Sequence, residues 1–99
     1  MLLINIPAIS NKYLGEILII LNSARKHGIS DTDMLSVIAE PYVVAELRAE
    51  PEKVLFLGFD SKANAIEVIT DTGVGGDLFV IHANKITKQY EKLLEEVLK

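Results

Sequence analysis

Apolar residues recur at three- and four-residue spacing in three segments, which is the period of a helix with one buried face. The first segment runs from about Asn11 to His27, the second from Ser30 to Pro41, and the third from Ile86 to Val97. The pattern therefore predicts three amphipathic helices. In the first of them, Ile19 and Ile20 widen the apolar surface, and residues 16–21 are also compatible with a buried strand.

Local signals predict how the first two helices are joined. Gly28 suits the left-handed conformation found just past a helix end. Ser30, with Asp33 three residues later, has the spacing of a capping box that opens the second helix. Pro41 should end that helix, because its ring disfavours helical geometry at the preceding residue. The two helices are thus expected to form an N-terminal helical hairpin that folds back at Gly28.

After Pro41 the apolar pattern becomes alternating or continuous, which is typical of strands. Short connections rich in turn-forming residues favour a four-stranded antiparallel β-meander over parallel crossovers. The second strand is apolar on both faces, so it should be central. The predicted strands run from Tyr42 to Arg48, Val54 to Phe59, Ala65 to Thr70 and Leu78 to Ala83.

At the N-terminus, Met1 to Ile6 is apolar and is followed by Pro7. This segment is interpreted as a short edge strand or an extended arm, because proline cannot donate a hydrogen bond to continue a strand pairing. The fold class expected for the chain is therefore α+β, with the C-terminal helix packed on the sheet.

Composition narrows the class of protein. The 99 residues, of which 49% are hydrophobic, are enough for one domain spanning residues 1–99. The absence of cysteine excludes disulfides, thiol catalysis and thiolate metal sites, and it fits a cytoplasmic location. No membrane segment, metal or other cofactor is expected. The net charge of −4 argues against a general nucleic-acid binder.

Candidate chemistry centres on the two histidines, His27 and His82. His27 lies on the predicted turn after the first helix, and His82 lies near the end of the last strand, where it should share a face with Leu78 and Val80. Both imidazoles could face one cleft, and His82 is the candidate for general acid–base chemistry. Alternatively, His82 is a partly buried histidine that bonds a backbone carbonyl, and Lys26 and His27 only complement a helix dipole.

Four basic residues could join this site: Arg25, Lys26, Lys85 and Lys88. They become neighbours if the last strand and last helix pack beside the helical hairpin, and a basic patch of this kind can bind phosphate oxygens. The same four residues are equally compatible with unrelated surface charges.

Three short motifs resemble a known family. They are Lys26-His27-Gly28 followed by an acidic capping stretch, Val54-Leu55-Phe56-Leu57-Gly58, and Val80-Ile81-His82-Ala83 leading into a helix with Tyr90, Leu93 and Leu94. In this order, over roughly two thirds of the chain, they resemble the BrnT-type toxins of the RelE-like ribonuclease superfamily.

The resemblance implies an antiparallel sheet flanked by helices, metal-independent RNA cleavage or translation inhibition, and a small antitoxin protein as partner. It implies catalytic roles for Lys26, His27 and His82, and RNA phosphate binding by Lys85 and Lys88. Arg25 is a further candidate for phosphate binding, as a member of the basic patch. The RNA would be either free or bound to the ribosome.

The chain departs from the family pattern at two positions. Phe59 and Asn84 stand where BrnT-like chains tend to place arginines. Two phosphate-binding cations are therefore missing, and lysine lacks the planar fork with which arginine grips phosphate. The chain is either a divergent enzyme or a relative that kept the fold without the activity. The alternative function is a non-catalytic interaction domain that binds a partner or forms a homodimer.

Overall fold

The computed structural model describes residues 2–3, 18–73 and 75–99, which form a six-stranded mixed sheet and three helices. Along the sheet the strand order is β1-β3-β4-β5-β6-β2. The strands are β1 (Leu2–Leu3), β2 (Leu18–Ile20), β3 (Val43–Ala49), β4 (Glu52–Phe59), β5 (Ala65–Thr72) and β6 (Leu78–Lys85). The helices are α1 (Asn22–Arg25), α2 (Asp31–Ala39) and α3 (Lys88–Leu98).

The α+β class and the antiparallel meander are confirmed. Strands β3, β4, β5 and β6 pair in sequence order, each antiparallel to the next. The apolar segment of β4 is central as expected, because it is flanked by β3 and β5 and is buried from Val54 to Gly58. Helices cover both of its faces, so a continuous apolar run replaces the alternation of a half-exposed strand.

The predicted helix from Asn11 to His27 is wrong over residues 18–20, while residues 11–17 lie outside the described part of the chain. Leu18–Ile20 instead forms β2, which pairs in parallel with the first residues of β6. Leu18 and Ile20 pack against the core, and Ile19 is exposed. The alternative prediction of a strand within residues 16–21 is therefore confirmed over residues 18–20, because pairing with β6 overrides the local helical spacing.

The expected N-terminal segment is partly confirmed, because Leu2–Leu3 forms an edge strand. It pairs in parallel with Val43 and Val44 at the start of β3. The predicted remainder of the segment, up to Ile6 and Pro7, lies outside the described residues. The meander thus gains one parallel strand on each side, and the first helix is reduced to about one turn. The structure therefore differs from the four-stranded sheet with an N-terminal helical hairpin that the sequence pattern predicted.

Helix α2 begins and ends as its sequence predicts. The Ser30 side chain accepts a hydrogen bond from the Asp33 backbone amide at 3.1 Å, which satisfies one of the free donors at the helix start. The helix ends at Ala39, and Glu40 before Pro41 has a non-helical φ of −133°. Its buried residues are Met34, Val37 and Ile38, the face predicted from the spacing.

Two apolar cores lie on opposite faces of the sheet. Core A contains buried residues of α1 and α2 together with Phe56, Val68 and Val80 from the central strands. Core B lies under α3, where Leu94 packs with Leu55 and Leu57. The prediction that the C-terminal helix packs on the sheet is confirmed. Within the described residues, no helix is both long and apolar enough to span a membrane.

Gly28 adopts the left-handed conformation predicted for it, with φ +80°. A Cβ added there would meet no atom within 4 Å, so the only strain of a substitution is in the backbone. We expect Gly28→Ala to lower the free energy of unfolding by about 1 kcal/mol, measured by chemical denaturation. Gly75→Ala is the matched control, because Gly75 has no left-handed φ, and its effect should stay below about 0.5 kcal/mol. Equal losses at the two positions would contradict this account.

Candidate functional site

A β-bulge in β6 determines where His82 points. Ile69 pairs with His82, whereas the next residue, Thr70, pairs with Val80, so Ile81 is an extra residue in β6. An extra residue reverses the alternation of side chains beyond it. His82 therefore lies on the core B face beside Ile69, and the prediction that it shares a face with Leu78 and Val80 is wrong.

On that face His82 meets Glu67, a carboxylate of β5. The Nε2 atom of His82 lies 2.8 Å from Oε2 of Glu67. The Glu67 side chain is only 3% exposed, while the His82 side chain is 28% exposed. His82 thus lies between the buried carboxylate and solvent. Its hydrogen-bond partner is this carboxylate, whereas the alternative interpretation expected a backbone carbonyl.

The other oxygen of Glu67 is held at the start of α3. Oε1 accepts a hydrogen bond from the Thr87 backbone amide at 2.7 Å and another from the Thr87 hydroxyl at 2.8 Å. Thr87 is the N-cap residue of α3, but its hydroxyl accepts no capping hydrogen bond, and it donates to Glu67. The buried carboxylate is thereby bonded on both oxygens, as a buried charge requires.

Helix α1 brings His27 to the same place. The Leu21 amide still bonds the Val80 carbonyl, and the chain then turns into α1, where the Ser23 hydroxyl donates to the Ile81 carbonyl at 2.9 Å. This bond satisfies the carbonyl of the extra bulge residue. His27 follows in the turn after α1, and its ring centroid is 5.8 Å from that of His82, edge to face at 73°.

An ion pair closes the turn that carries His27. The Arg25 guanidinium donates through two nitrogens to the two oxygens of Asp31, at 2.9 and 2.8 Å, and it also donates to the Ile20 carbonyl. The hydrogen bond from Arg25 lowers the pKa of Asp31. The pair therefore joins the end of α1 to the start of α2 across residues 26–30, and an anion would have to displace Asp31 to reach Arg25.

The three lysines proposed for the site occupy different positions. Lys26 is exposed beside His27, and Lys88 is exposed in the first turn of α3, next to Thr87. Lys85 is exposed at the end of β6, but it pairs with Ile66, which belongs to core A, so it lies on the opposite face from His82. Among the described residues these lysines form no ion pair. Lys26 and Lys88 are thus the better placed to meet an anion.

Tyr90 completes the cluster from the first turns of α3. Burial, and then the nearby Glu67 charge, raise the pKa of its hydroxyl above the ordinary value. Its ring packs with core B. Tyr90 is therefore close enough to Glu67 to feel its charge.

Glu67 and Thr87 are the site residues that sequence reasoning missed. Glu67 is the one charge in the apolar run Ala65-Ile66-Glu67-Val68-Ile69. A lone carboxylate in an apolar strand needs a partner if it is buried, and that requirement was the available signal. The sequence did not indicate that this partner is His82, because His82 lies on the same face as Glu67 only as a result of the bulge.

The described residues contain no group of three histidine, aspartate or glutamate side chains placed to hold a metal. A depression of about 460 Å³ lies near the β3–β4 and β5–β6 connections, where it is lined by residues that include Glu50, Glu52 and Thr72. That depression does not include the histidine pair.

Comparisons with protein-family models, curated proteins and solved structures returned no match. The resemblance to BrnT-type toxins therefore stays a prediction that rests on the three short motifs. The geometry of His27, His82 and Glu67 determines which chemistry the site can perform.

The Arg25–Asp31 pair should stabilise the His27 turn in a pH-dependent manner. Because the pKa of Asp31 is lowered in the folded state, its contribution is present above the unfolded pKa of about 3.9 and is lost as the pH falls through the lower folded pKa. We expect Asp31→Asn to melt below the wild type near neutral pH, with a difference in Tm that shrinks in acid and in high salt. Asp77→Asn removes the same charge from an exposed loop and controls for net charge. A difference in Tm that is constant across pH would contradict the ion-pair account.

Proposed function

We propose that this chain is a divergent toxin module that cleaves RNA without a metal, or blocks translation through RNA, and that His27 and His82 are its acid–base pair. The observation that carries the proposal is the convergence of the two imidazoles, whose centroids are 5.8 Å apart although the residues are far apart in sequence. One ring is exposed and the other is partly exposed, so both can be reached from solvent.

Two imidazoles in contact match the chemistry of RNA cleavage by the 2′-hydroxyl. One neutral imidazole accepts the proton of the 2′-hydroxyl, and the 2′-oxygen attacks the phosphorus. The bond from phosphorus to the 5′-oxygen breaks, and an imidazolium gives its proton to that oxygen. The products are a 2′,3′-cyclic phosphate and a free 5′-hydroxyl, and each positioned proton transfer contributes on the order of 10²–10⁴-fold to the rate.

Phosphate binding in this proposal falls to Lys26 and Lys88. Each lysine is adjacent in sequence to a residue of the site, Lys26 to His27 and Lys88 to Thr87. An ammonium acts as a point charge and lacks the two-pronged geometry of arginine, so the transition state is held more weakly than in a site with arginines. The net charge of −4 restricts RNA attraction to this local patch.

A non-catalytic interaction domain is the second candidate, and exposed apolar side chains favour it. Leu35, Leu47 and Leu98 are 44%, 40% and 54% exposed. Tyr42 is also exposed and packs edge to face on Phe59. Apolar side chains at the surface would be covered in a complex, and the partner in this second candidate is an antitoxin or a second copy of the chain.

Substitution of each histidine should separate the two functions. We expect His82→Gln and His27→Ala each to lower cleavage of a fluorescently labelled single-stranded RNA of mixed sequence by about 10²-fold or more. Glutamine is chosen at position 82 because its amide can still donate to Glu67. The same RNA with 2′-O-methyl riboses should resist cleavage, and cleavage of that RNA would contradict attack by the 2′-hydroxyl.

Lysine variants provide the matched control. Lys26→Gln should weaken RNA cleavage, whereas Lys99→Gln, at the chain end beyond α3, should not. Translation in a cell-free extract and growth after induced expression extend the test to cells, and both should be inhibited by the wild type and spared by His82→Gln. A folded wild type that neither cuts RNA nor inhibits translation would refute the catalytic proposal and leave the interaction domain.

A further inference from the structure

We infer that Glu67 is a positioning residue that keeps the proton of neutral His82 on Nε2, so that Nδ1 is the nitrogen that accepts the substrate proton. This role rests on the proposed acid–base function, and it assigns the two histidines different tasks. His82 is the general base, and the exposed His27 is the acid that protonates the leaving oxygen. Glu67 itself does not touch the substrate.

The hydrogen bonds of Glu67 determine which nitrogen of His82 is free. An ionised carboxylate can only accept hydrogen bonds. Its Oε1 atom is occupied by the two Thr87 donors, and Oε2 faces Nε2 of His82 at 2.8 Å. The proton of neutral His82 must then be on Nε2, which leaves the lone pair on Nδ1.

Burial makes this arrangement rigid. The Glu67 side chain is 3% exposed, and its strand is paired on both sides, with β4 and with β6. Thr87 holds the carboxylate from the start of α3, so neither oxygen is free to rotate away. A base that is oriented before the substrate arrives loses little freedom during the reaction. The negative charge of Glu67 also stabilises the imidazolium that forms when His82 accepts a proton.

The isosteric change Glu67→Gln should reverse the tautomer. Thr87 presents two donors to the Oε1 position, so the amide oxygen of the glutamine is held there. Its NH₂ group then occupies the Oε2 position and donates to Nε2 of His82. Nε2 then has to accept this hydrogen bond, so the proton of neutral His82 moves to Nδ1. Nδ1 thereby loses the lone pair with which it would accept the substrate proton. In serine proteases the corresponding change from carboxylate to amide lowers kcat by about 10⁴-fold through the same tautomer effect.

The tautomer can be measured without any RNA. Long-range ¹H–¹⁵N spectra of the ¹⁵N-labelled full chain, recorded at a pH where the rings are neutral, distinguish Nε2–H from Nδ1–H histidine. The signals of His82 are assigned by their loss in His82→Gln. We expect Nε2–H in the wild type and Nδ1–H in Glu67→Gln. The exposed Glu95→Gln is the matched control and should retain the wild-type spectrum.

Kinetics on the labelled single-stranded RNA supply the second measurement. Glu67→Gln should lower kcat by 10²-fold or more and leave KM within about threefold, because Glu67 acts through His82 and not on the substrate. Glu95→Gln should leave both unchanged. A loss confined to KM, or cleavage retained in Glu67→Gln, would overturn the positioning role.

The tautomer and the cleavage rate test the inference and the proposed function separately. An Nδ1–H tautomer in the wild type overturns the inference even if RNA is cleaved. This measurement needs no substitution of Glu67, so a poorly folding Glu67→Gln does not weaken the test. An unchanged tautomer in folded Glu67→Gln overturns it as well. If the tautomers are as expected but the protein cuts no RNA, the proposed function is refuted, and with it the positioning role of Glu67 in the reaction.

Discussion

The hydrogen bonds to the buried carboxylate of Glu67 are the interaction on which the rest of the site depends. A charge that is removed from water must be compensated by donors. Here the donors come from Thr87 at the start of α3 and from His82 on β6. The requirement ties three elements together, because β5 supplies the charge, β6 supplies the imidazole and α3 is held at its first residues. Loss of any one donor would leave a charge poorly compensated under the helix, so the cluster constrains the structure whether or not it performs chemistry.

The bulge in β6 connects this cluster to the surface. Its extra residue, Ile81, turns His82 toward Glu67, and the Ile81 carbonyl is satisfied by Ser23 of α1. The same irregularity thus orients one histidine and anchors the short helix that carries the other. The Arg25–Asp31 pair then fixes the turn after α1, where His27 lies against His82. Bulges commonly redirect a side chain next to a functional site, and this one does so at the sheet edge, where solvent has access.

The charges around the site fit local and not global attraction of an anion. The chain is acidic overall, with 14 acidic and 10 basic side chains, so long-range steering of RNA is unfavourable. Arg25, the one arginine near the histidines in sequence, is bonded to Asp31. Lys26 and Lys88 remain as exposed point charges, adjacent in sequence to His27 and Thr87. These charges favour weaker binding of phosphate than the resemblance to BrnT-type toxins implied. The imidazoles proposed as acid and base are nevertheless held in place.

The sequence by itself determined the elements whose signals are local. The Ser30 cap, the stop at Pro41, the left-handed Gly28 and the four meander strands follow from backbone preferences and from the period of apolar residues, which act over a few positions. That the two histidines could face one cleft was a hypothesis from the order of elements, and their contact depends on the bulge in β6. The tertiary structure alone decided that Leu18–Ile20 is a strand, because its pairing partner is distant along the chain, and that His82 faces Glu67, because one extra residue in β6 reverses the alternation. Such a bulge leaves no mark in the local pattern, since it is stabilised by contacts with β5 and α1 that form only when the chain has folded.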